Sequence, residues 1–213
     1  MKRSIGIVCM ILGVVMLLGA GALHLMNTEE GNQAQESVEK LMPQLMEAIH
    51  EKSNAQSNEA SDLPQHEAQT AQPIDPNFYS TEMTEEIIDG YGFVGYLSVP
   101  SLELKLPVMS QSDDARLKIS PCRFSGSTKT DDLVIGGHNY WQHFGQLPDL
   151  KNGAIVTFTD MDGKQTTYEL ITMEVLEPND VQELTKGEYP LTLFTCTYGG
   201  SSRITLRFDI VKN

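Results

Sequence analysis

The stretch LTLFTCTYGGSSRITLRF, residues Leu191–Phe208, contains two strand-like segments separated by a glycine-rich turn. Apolar and polar residues alternate in both segments, which predicts β-strands with one face towards a core. A cysteine ends the first strand, and an arginine begins the second one seven residues later. If these strands pair, Cys196 and Arg203 become neighbours across a hairpin.

Side-chain parity places these two residues on the same face. The second strand carries an alternating apolar set: Ile204, Leu206, Phe208 and Ile210. Arg203 and Arg207 therefore point away from the core. The same parity places Cys196 on the outer face of the first strand, together with Thr192 and Phe194. Taken alone, the two arginines are typical of a solvated strand face. For Cys196 the alternative is a buried thiol, and its position on the outer face argues against that.

Other strand-like segments precede this pair: FVGYLSVP, LELKLPV, DLVIGG, AIVTFTD and TTYELITMEVLE. The phrase DMDGKQ supplies an Asp-Gly turn between the last two. Short helical or irregular pieces lie between strands: QSDDARLKIS, HFGQLPDLK and NDVQELTKG. Many short strands with brief helices predict a mostly β domain over residues 85–213, a closed or nearly closed β-barrel of about eight strands.

The N-terminus predicts a membrane anchor. Lys2 and Arg3 precede the apolar run Ser4–Leu25, which is long enough to cross a bilayer as a helix. Glu29 and Glu30 follow the run, so we expect residues 1–26 to form a cytoplasmic tip and a transmembrane helix, with the remainder outside. The alternative is a cleaved signal peptide, because Ala20–Ala22 (AGA) has the composition of a cleavage site.

Residues 27–84 read as an acidic, polar spacer. Within it, ESVEKLMPQLMEAIHEK has apolar residues at helical spacing: Val38, Leu41, Met42, Leu45 and Ile49. This pattern predicts one short amphipathic helix, interrupted or started near Pro43 and frayed within the spacer. Residues 53–80 have too few apolar side chains to order themselves, which predicts a flexible linker.

Charge and motifs exclude several classes of function. The 213 residues carry a formal net charge of -14, whereas a nucleic-acid partner normally requires a concentrated basic surface. The chain contains no nucleotide-binding glycine loop and no convincing acidic calcium site. We therefore expect no cofactor, no metal and no nucleic acid.

Three cysteines require an explanation. Cys9 lies in the apolar run and is expected to be a packing residue. Cys122 and Cys196 form the only exported pair, so a structural disulfide is one interpretation. The other is that Cys196 is a nucleophile, for which nearby cations would favour the thiolate.

A nucleophilic cysteine needs a group that protonates the leaving group, and histidine does this best near neutral pH. The membrane edge and the spacer contain three of the five histidines: His24, His50 and His66. His138 and His143 remain. We favour His138, because a strand and two glycines precede it and would present the ring at a strand end.

These motifs in this order resemble the sortase family, the cysteine transpeptidases of Gram-positive bacteria. TLFTC (Thr192–Cys196), the glycine-rich turn and RITLRF resemble the family's nucleophile and arginine strands. GGHN resembles the histidine strand end, and GFVGYLSVPSLELKLPV resembles the first two strands. The resemblance covers about residues 92–211 and implies a sortase-like barrel.

The resemblance also implies roles for individual residues. Cys196 would attack a threonine carbonyl in a sorting signal, His138 would transfer protons, and Arg203 would hold the carbonyl oxygen. Thr195 and Asn139 would bind substrate. The implied partners are secreted proteins with a C-terminal sorting signal, and an amine acceptor from a peptidoglycan precursor or a pilin lysine.

The subfamily stays open. GHN resembles class B, but the segment from Glu177 to Pro190 is too short for the helix that class B inserts before the cysteine strand. The phrase IDPNF, Ile74–Phe78, faintly resembles the lid of class C, and the remainder is compact like classes A, D or E. Rival interpretations of the whole chain are another exported cysteine peptidase or transpeptidase, and a non-catalytic anchored binding barrel.

Overall fold

The computed structural model describes residues 2–59, 81–197 and 199–212. The helices are α1 (Lys2–Glu59), α2 (Asp114–Leu117) and α3 (Val181–Leu184), with 3-10 turns at Pro100–Leu102 and Phe144–Asp149. The strands are β1 (Glu86–Ile88), β2 (Tyr91–Val99), β3 (Leu104–Met109), β4 (Cys122–Ser125), β5 (Leu133–Gly137), β6 (Ile155–Asp160), β7 (Gln165–Leu176), β8 (Leu191–Cys196) and β9 (Arg203–Ile210). The lid-like phrase at 74–78 and most of the expected linker lie outside the described residues.

The sheet closes into a barrel. Its order is β1-β2-β3-β4-β5-β8-β9-β7-β6, and β6 also pairs with β2. Strands β2 to β9 therefore form a closed eight-stranded barrel to which β1 adds an edge strand, which confirms the predicted fold. Because β1 and β4 have only three and four residues, they carry too little periodicity to be found from the sequence.

Helix α1 differs from the short, frayed helix that the sequence predicts. It is continuous through Pro43, and one stripe of its residues packs against the barrel: Ala34, Val38, Leu41, Met42, Leu45 and Ile49. The predicted apolar set is thus buried, but it belongs to the barrel's main hydrophobic cluster. The expectation of a frayed helix was wrong because burial of this stripe stabilises a helix that local propensity alone would leave marginal.

The outer face of β8 and β9 is also not a solvated strand face, contrary to the simplest interpretation of its arginines. Arg207 and Thr192 are buried there, at 1% and 2% exposure. The segment that contains α3 covers them, and Leu184 packs with Val134 and Phe194 in a small second cluster. The end of this face that carries Cys196 is exposed.

The N-terminal part of α1 stands apart from the barrel. It contains a window of mean hydropathy 1.8, none of it buried against the protein, that is long and apolar enough to cross a membrane. A signal sequence has the same length and composition. Because α1 is continuous, this apolar part and the stripe that packs on the barrel belong to one helix.

Candidate active site

The β8–β9 hairpin brings Cys196 and Arg203 together. They are direct cross-strand partners at the last position of the ladder. Beyond them, the Thr197 amide donates to the Ser202 carbonyl at 2.9 Å, and the Ser202 amide donates to Thr197 Oγ1 at 3.1 Å. Gly199 and Gly200 have φ of 84° and 70°, values that side chains other than glycine rarely adopt. The turn therefore requires its glycines, and it holds the nucleophile candidate opposite the arginine.

Strand β5 places His138 beside this hairpin. β5 runs parallel to β8 with Gly137 opposite Thr195. The residues that follow these two, His138 after β5 and Cys196 in β8, are therefore neighbours at the ends of the two strands. The two glycines before His138 permit close packing: a Cβ on Gly136 would lie 2.6 Å from the Phe194 ring. A Cβ on Gly137 would lie 2.5 Å from the Phe144 ring. The GG pair thus lets two aromatic rings pack directly on the strand that presents the histidine.

Two cavities meet at Cys196. One of about 290 Å³ is lined by Cys196, His138, Asn139, Phe194 and Lys118, among others. The other, of about 280 Å³, is lined by Cys196, Asn139 and Thr195 together with the loop that follows β5. Cys196 and Asn139 border both cavities, so a ligand in either would pass the thiol.

The thiol is available for chemistry. Cys196 is exposed and Cys122 is buried, and both are free, which rules out the alternative interpretation of a disulfide between them. Burial raises the pKa of the Cys122 thiol to about 12, which makes it inert. Of the thiols of Cys122 and Cys196, only that of Cys196 is accessible to a ligand.

The environment of His138 favours a neutral ring. Burial lowers its pKa, and the Lys118 ammonium lowers it further, while the Glu30 carboxylate and a hydrogen bond with Asn139 oppose the shift. The Nδ1 atom is buried and has no hydrogen-bond partner among the described residues. His143 lies deeper, at 0% exposure, and burial lowers its pKa to about 4. The structure therefore places His138, and not His143, in the cavity with the thiol.

Arg203 and Thr195 both carry polar atoms that lack partners. The Arg203 guanidinium lies over the Phe194 ring, 5.5 Å from its centroid, and its Nη1 is buried without a hydrogen bond within the described chain. Thr195 is 1% exposed, and its hydroxyl is likewise unpaired. Unpaired buried polar groups are costly, so these atoms are candidates to bind a ligand's polar groups.

Sequence reasoning missed two aromatic residues of the site. Phe194 lines the larger cavity, lies edge-on to Phe124 with centroids 5.4 Å apart, and supports Arg203. Its position two residues before the cysteine, on the same face, was the available signal. Tyr140 stacks on His138 with centroids 3.8 Å apart, and the position of Tyr140 after GGHN gives no indication of this contact.

An exposed thiol, a neutral histidine in the same cavity and an unpaired arginine across the hairpin suit covalent acyl transfer. A family model described as "Sortase domain" matches residues 97–210. Sortase C1 from Streptococcus agalactiae is 30% identical with a TM-score of 0.51, over 59% of this chain and 71% of that one.

Two more distant solved structures share the fold. Sortase A from Corynebacterium diphtheriae is 19% identical with a TM-score of 0.52, over 90% of this chain and 96% of that one. Sortase C from Streptococcus pneumoniae is 19% identical with a TM-score of 0.52, over 84% and 97%. No curated protein sequence matches significantly. Because the family model covers more than half of the 213 residues, the chain belongs to the sortase family of cysteine transpeptidases.

Proposed function

We propose that this chain is a membrane-anchored sortase that cuts a sorting signal in secreted proteins and joins the new C-terminus to an amine. Cys196 is the nucleophile, His138 the general acid and base, and Arg203 the group that stabilises the oxyanion. One observation carries this assignment: the exposed, free thiol of Cys196 shares a cavity with His138 and is paired across the hairpin with Arg203.

In the first half-reaction, His138 accepts the proton of Cys196 while the sulfur attacks the backbone carbonyl carbon of a threonine in the signal. The carbonyl oxygen becomes an anion, which the guanidinium of Arg203 stabilises through its unpaired Nη1. The C–N bond then breaks, and the leaving amine takes the proton from His138. The products are a thioester on Cys196 and a free amine.

In the second half-reaction, the acceptor amine attacks the thioester carbonyl and gives its proton to His138. The C–S bond breaks, the thiolate regains the proton, and a new amide bond joins acceptor and substrate. The unpaired Thr195 hydroxyl and the side chain of Asn139, which borders both cavities, are proposed to bind the peptide.

The apolar part of α1 supports a membrane location. Lys2 and Arg3 before the run and Glu29 and Glu30 after it favour a cytoplasmic N-terminus and an external barrel. The description of the Streptococcus pneumoniae sortase C concerns pilin substrate specificity, and that relationship keeps a pilin lysine as an acceptor beside a peptidoglycan precursor.

The test is intact-mass measurement of the full chain in detergent micelles after mixing with pooled peptides of the Leu-Pro-x-Thr-Gly and Asn-Pro-x-Thr-x types. We expect a mass increase equal to a peptide truncated after threonine. Addition of a lysine-containing pilin peptide, or of a peptidoglycan-precursor peptide, should then discharge the adduct as an amide. The acceptor that discharges it identifies the second substrate.

Two cysteine variants make the result specific. Cys196→Ala should give no adduct, whereas Cys122→Ala should give the same adduct as the wild type, because the Cys122 thiol is buried. A wild-type enzyme that reacts with a small thiol reagent but with no peptide would contradict the proposed substrate class. An adduct that persists in Cys196→Ala would contradict the assignment of the nucleophile.

A further inference from the structure

Helix α1 reaches the loop that presents the histidine, here called the histidine loop (residues 138–143). Glu30 Oε2 accepts a hydrogen bond from the Tyr140 hydroxyl at 2.7 Å. Glu30 Oε1 accepts another from Lys118 Nζ at 3.2 Å. Two residues further along the helix, Asn32 Oδ1 accepts a hydrogen bond from Gln142 Nε2 at 3.3 Å. The helix that carries the candidate membrane anchor therefore holds both the histidine loop and a cation that lines the active-site cavity.

Tyr140 connects this helix to His138. The tyrosine is 1% exposed, and its ring lies nearly parallel to the imidazole, at 18° with centroids 3.8 Å apart. Because Glu30 holds the hydroxyl, the tyrosine ring has little freedom to rotate. The imidazole stacked on it is therefore kept nearly parallel to the tyrosine ring.

The stack is important because no hydrogen bond within the described residues orients the ring of His138 through Nδ1. A general base is commonly oriented by a third group that hydrogen-bonds its other nitrogen. In the described part of this chain, His138 Nδ1 is buried and has no such partner. The contact with Tyr140 therefore fixes the ring plane, in addition to the hydrogen bond with Asn139.

We propose that Glu30 is a positioning residue for His138, acting from helix α1 through the Tyr140 hydroxyl and the stacked rings, so that the anchor helix is part of the catalytic apparatus. The proposal rests on the proposed role of His138 as acid and base. It goes beyond that role because it makes residues outside the matched domain, which begins at residue 97, necessary for full activity.

The charges around His138 determine the direction of the expected effect. Glu30 approaches from α1, Lys118 from the end of α2, and Asp114 of α2 lines the same cavity. Cys196 and Arg203 lie on the hairpin side, and His143 is the buried last residue of the histidine loop. Removal of the Glu30 charge withdraws a group that favours the imidazolium and leaves Lys118 without its partner. Both changes lower the pKa of His138.

The neighbouring Glu29 provides a matched control. It has the same charge on the same helix but is exposed, and its carboxylate accepts a weak hydrogen bond of 3.4 Å from Gln33 Nε2. Glu29→Gln therefore changes the net charge as Glu30→Gln does, without touching Tyr140. Any difference in the titration of His138 between these two variants is therefore due to the location of Glu30 and not to the change in net charge.

The decisive measurement is an NMR titration of His138 in the full chain with isotope-labelled histidine, assigned with His138→Gln. We expect the pKa of His138 to fall in Glu30→Gln and Glu30→Ala and to stay at the wild-type value in Glu29→Gln. Tyr140→Phe, which keeps the stack but loses the hydroxyl, should broaden the ring signals of His138. The rate of acylation should fall about tenfold in Glu30→Ala with an unchanged KM, since misplaced catalytic groups reduce the chemical step.

The outcomes are separable from those of the proposed function. If Tyr140→Phe, which loses the hydroxyl that Glu30 holds, leaves the ring signals of His138 as sharp as those of Glu29→Gln, the positioning role is refuted. If the ring signals of His138 broaden in Tyr140→Phe as expected but the wild type acylates no peptide, the proposed function fails and the positioning of the ring stands. Thermal unfolding of each variant identifies any loss that comes from misfolding, and the Tyr140→Phe variant decides even if Glu30→Ala does not fold.

Discussion

Arg203 and Arg207 lie four residues apart on the same face of β9, yet their surroundings are opposite. Arg207 is buried and donates to four acceptors: Glu174 Oε1 at 2.7 Å, the Glu183 carbonyl at 2.6 Å, the Leu184 carbonyl at 3.0 Å and Thr192 Oγ1 at 3.0 Å. Arg203 instead rests on the Phe194 ring and has a buried Nη1 that bonds nothing in the described chain.

The difference shows how one residue type serves structure at one position and ligand binding at another. Arg207 ties two carbonyls of the α3 segment to the barrel and so holds that segment over the outer face. Its donors are used within the protein, whereas Arg203 keeps donors for a ligand. A buried polar group without a partner has a free-energy cost, which a substrate oxygen would offset.

The largest expected effect concerns the open end of this face. Arg203→Met should lower the rate of acylation by about 10²- to 10³-fold, the usual consequence of losing one oxyanion donor. Its free energy of unfolding should change by less than about 0.5 kcal/mol, because no internal hydrogen bond of Nη1 is lost. Stopped-flow mixing with a reactive peptide and urea unfolding measure the two quantities. A rate within a factor of two of the wild type would contradict the assignment of Arg203.

The same substitution at the covered end should have the opposite outcome. Arg207→Met leaves two carbonyls, Thr192 and Glu174 without their donor, which should lower the free energy of unfolding by about 3 kcal/mol. Glu174 is 38% exposed and can regain water, so we expect the lower end of the usual range. Urea unfolding followed by near-ultraviolet circular dichroism checks this. An Arg207→Met variant as stable as the wild type would show that α3 is held by its apolar contacts alone.

The two histidines of the histidine loop extend the comparison to pH. His143 is fully buried with both ring nitrogens unpaired among the described residues, and burial lowers its pKa from 6.5 to about 4. Between these values the unfolded chain binds a proton that the folded one does not, so stability is full above pH 6.5 and is lost as the pH falls towards 4. The shift corresponds to about 3 kcal/mol.

His143→Leu should remove this part of the pH dependence. The apolar side chain is of similar size and leaves no nitrogen unpaired, so the variant should be at least as stable as the wild type at neutral pH. Unfolding by urea at several pH values measures the slope. An unchanged slope would mean that other groups produce the acid sensitivity.

The smallest expected effect concerns the turn that holds Cys196 opposite Arg203. Thr197→Val removes the hydroxyl that bonds both the amide and the carbonyl of Ser202, at a cost of about 1 kcal/mol. The acylation rate should fall by less than in Arg203→Met, because the strand ladder still pairs Cys196 with Arg203. A loss of rate as large as that of Arg203→Met would indicate that the turn, and not the ladder, sets the geometry of the site.

The sequence predicted the barrel and the core of the site because both rest on local patterns. Period-two alternation identified β2, β3 and β5 to β9, and the Asp-Gly phrase identified the turn between β6 and β7. Cys196 and Arg203 were predicted as neighbours because a tight hairpin makes cross-strand partners out of residues close in the chain. His138 required one further step, the parallel pairing of β5 with β8.

Tertiary structure decided what lies over these elements. Strand parity correctly predicted that Arg207 lies on the outer face of β9. It could not predict that the α3 segment covers this residue, because that segment lies more than 20 residues away in the chain. Likewise, the spacing of apolar residues in α1 indicated an amphipathic helix but did not indicate which surface its apolar face packs against. Glu30 and Tyr140 are 110 residues apart, and no local pattern encodes their hydrogen bond. The sequence by itself therefore determined the strands, the hairpin and its reactive pair, because their contacts are short-range. Only the packing of α1 and α3 on the barrel decided which arginine is free and what orients the histidine.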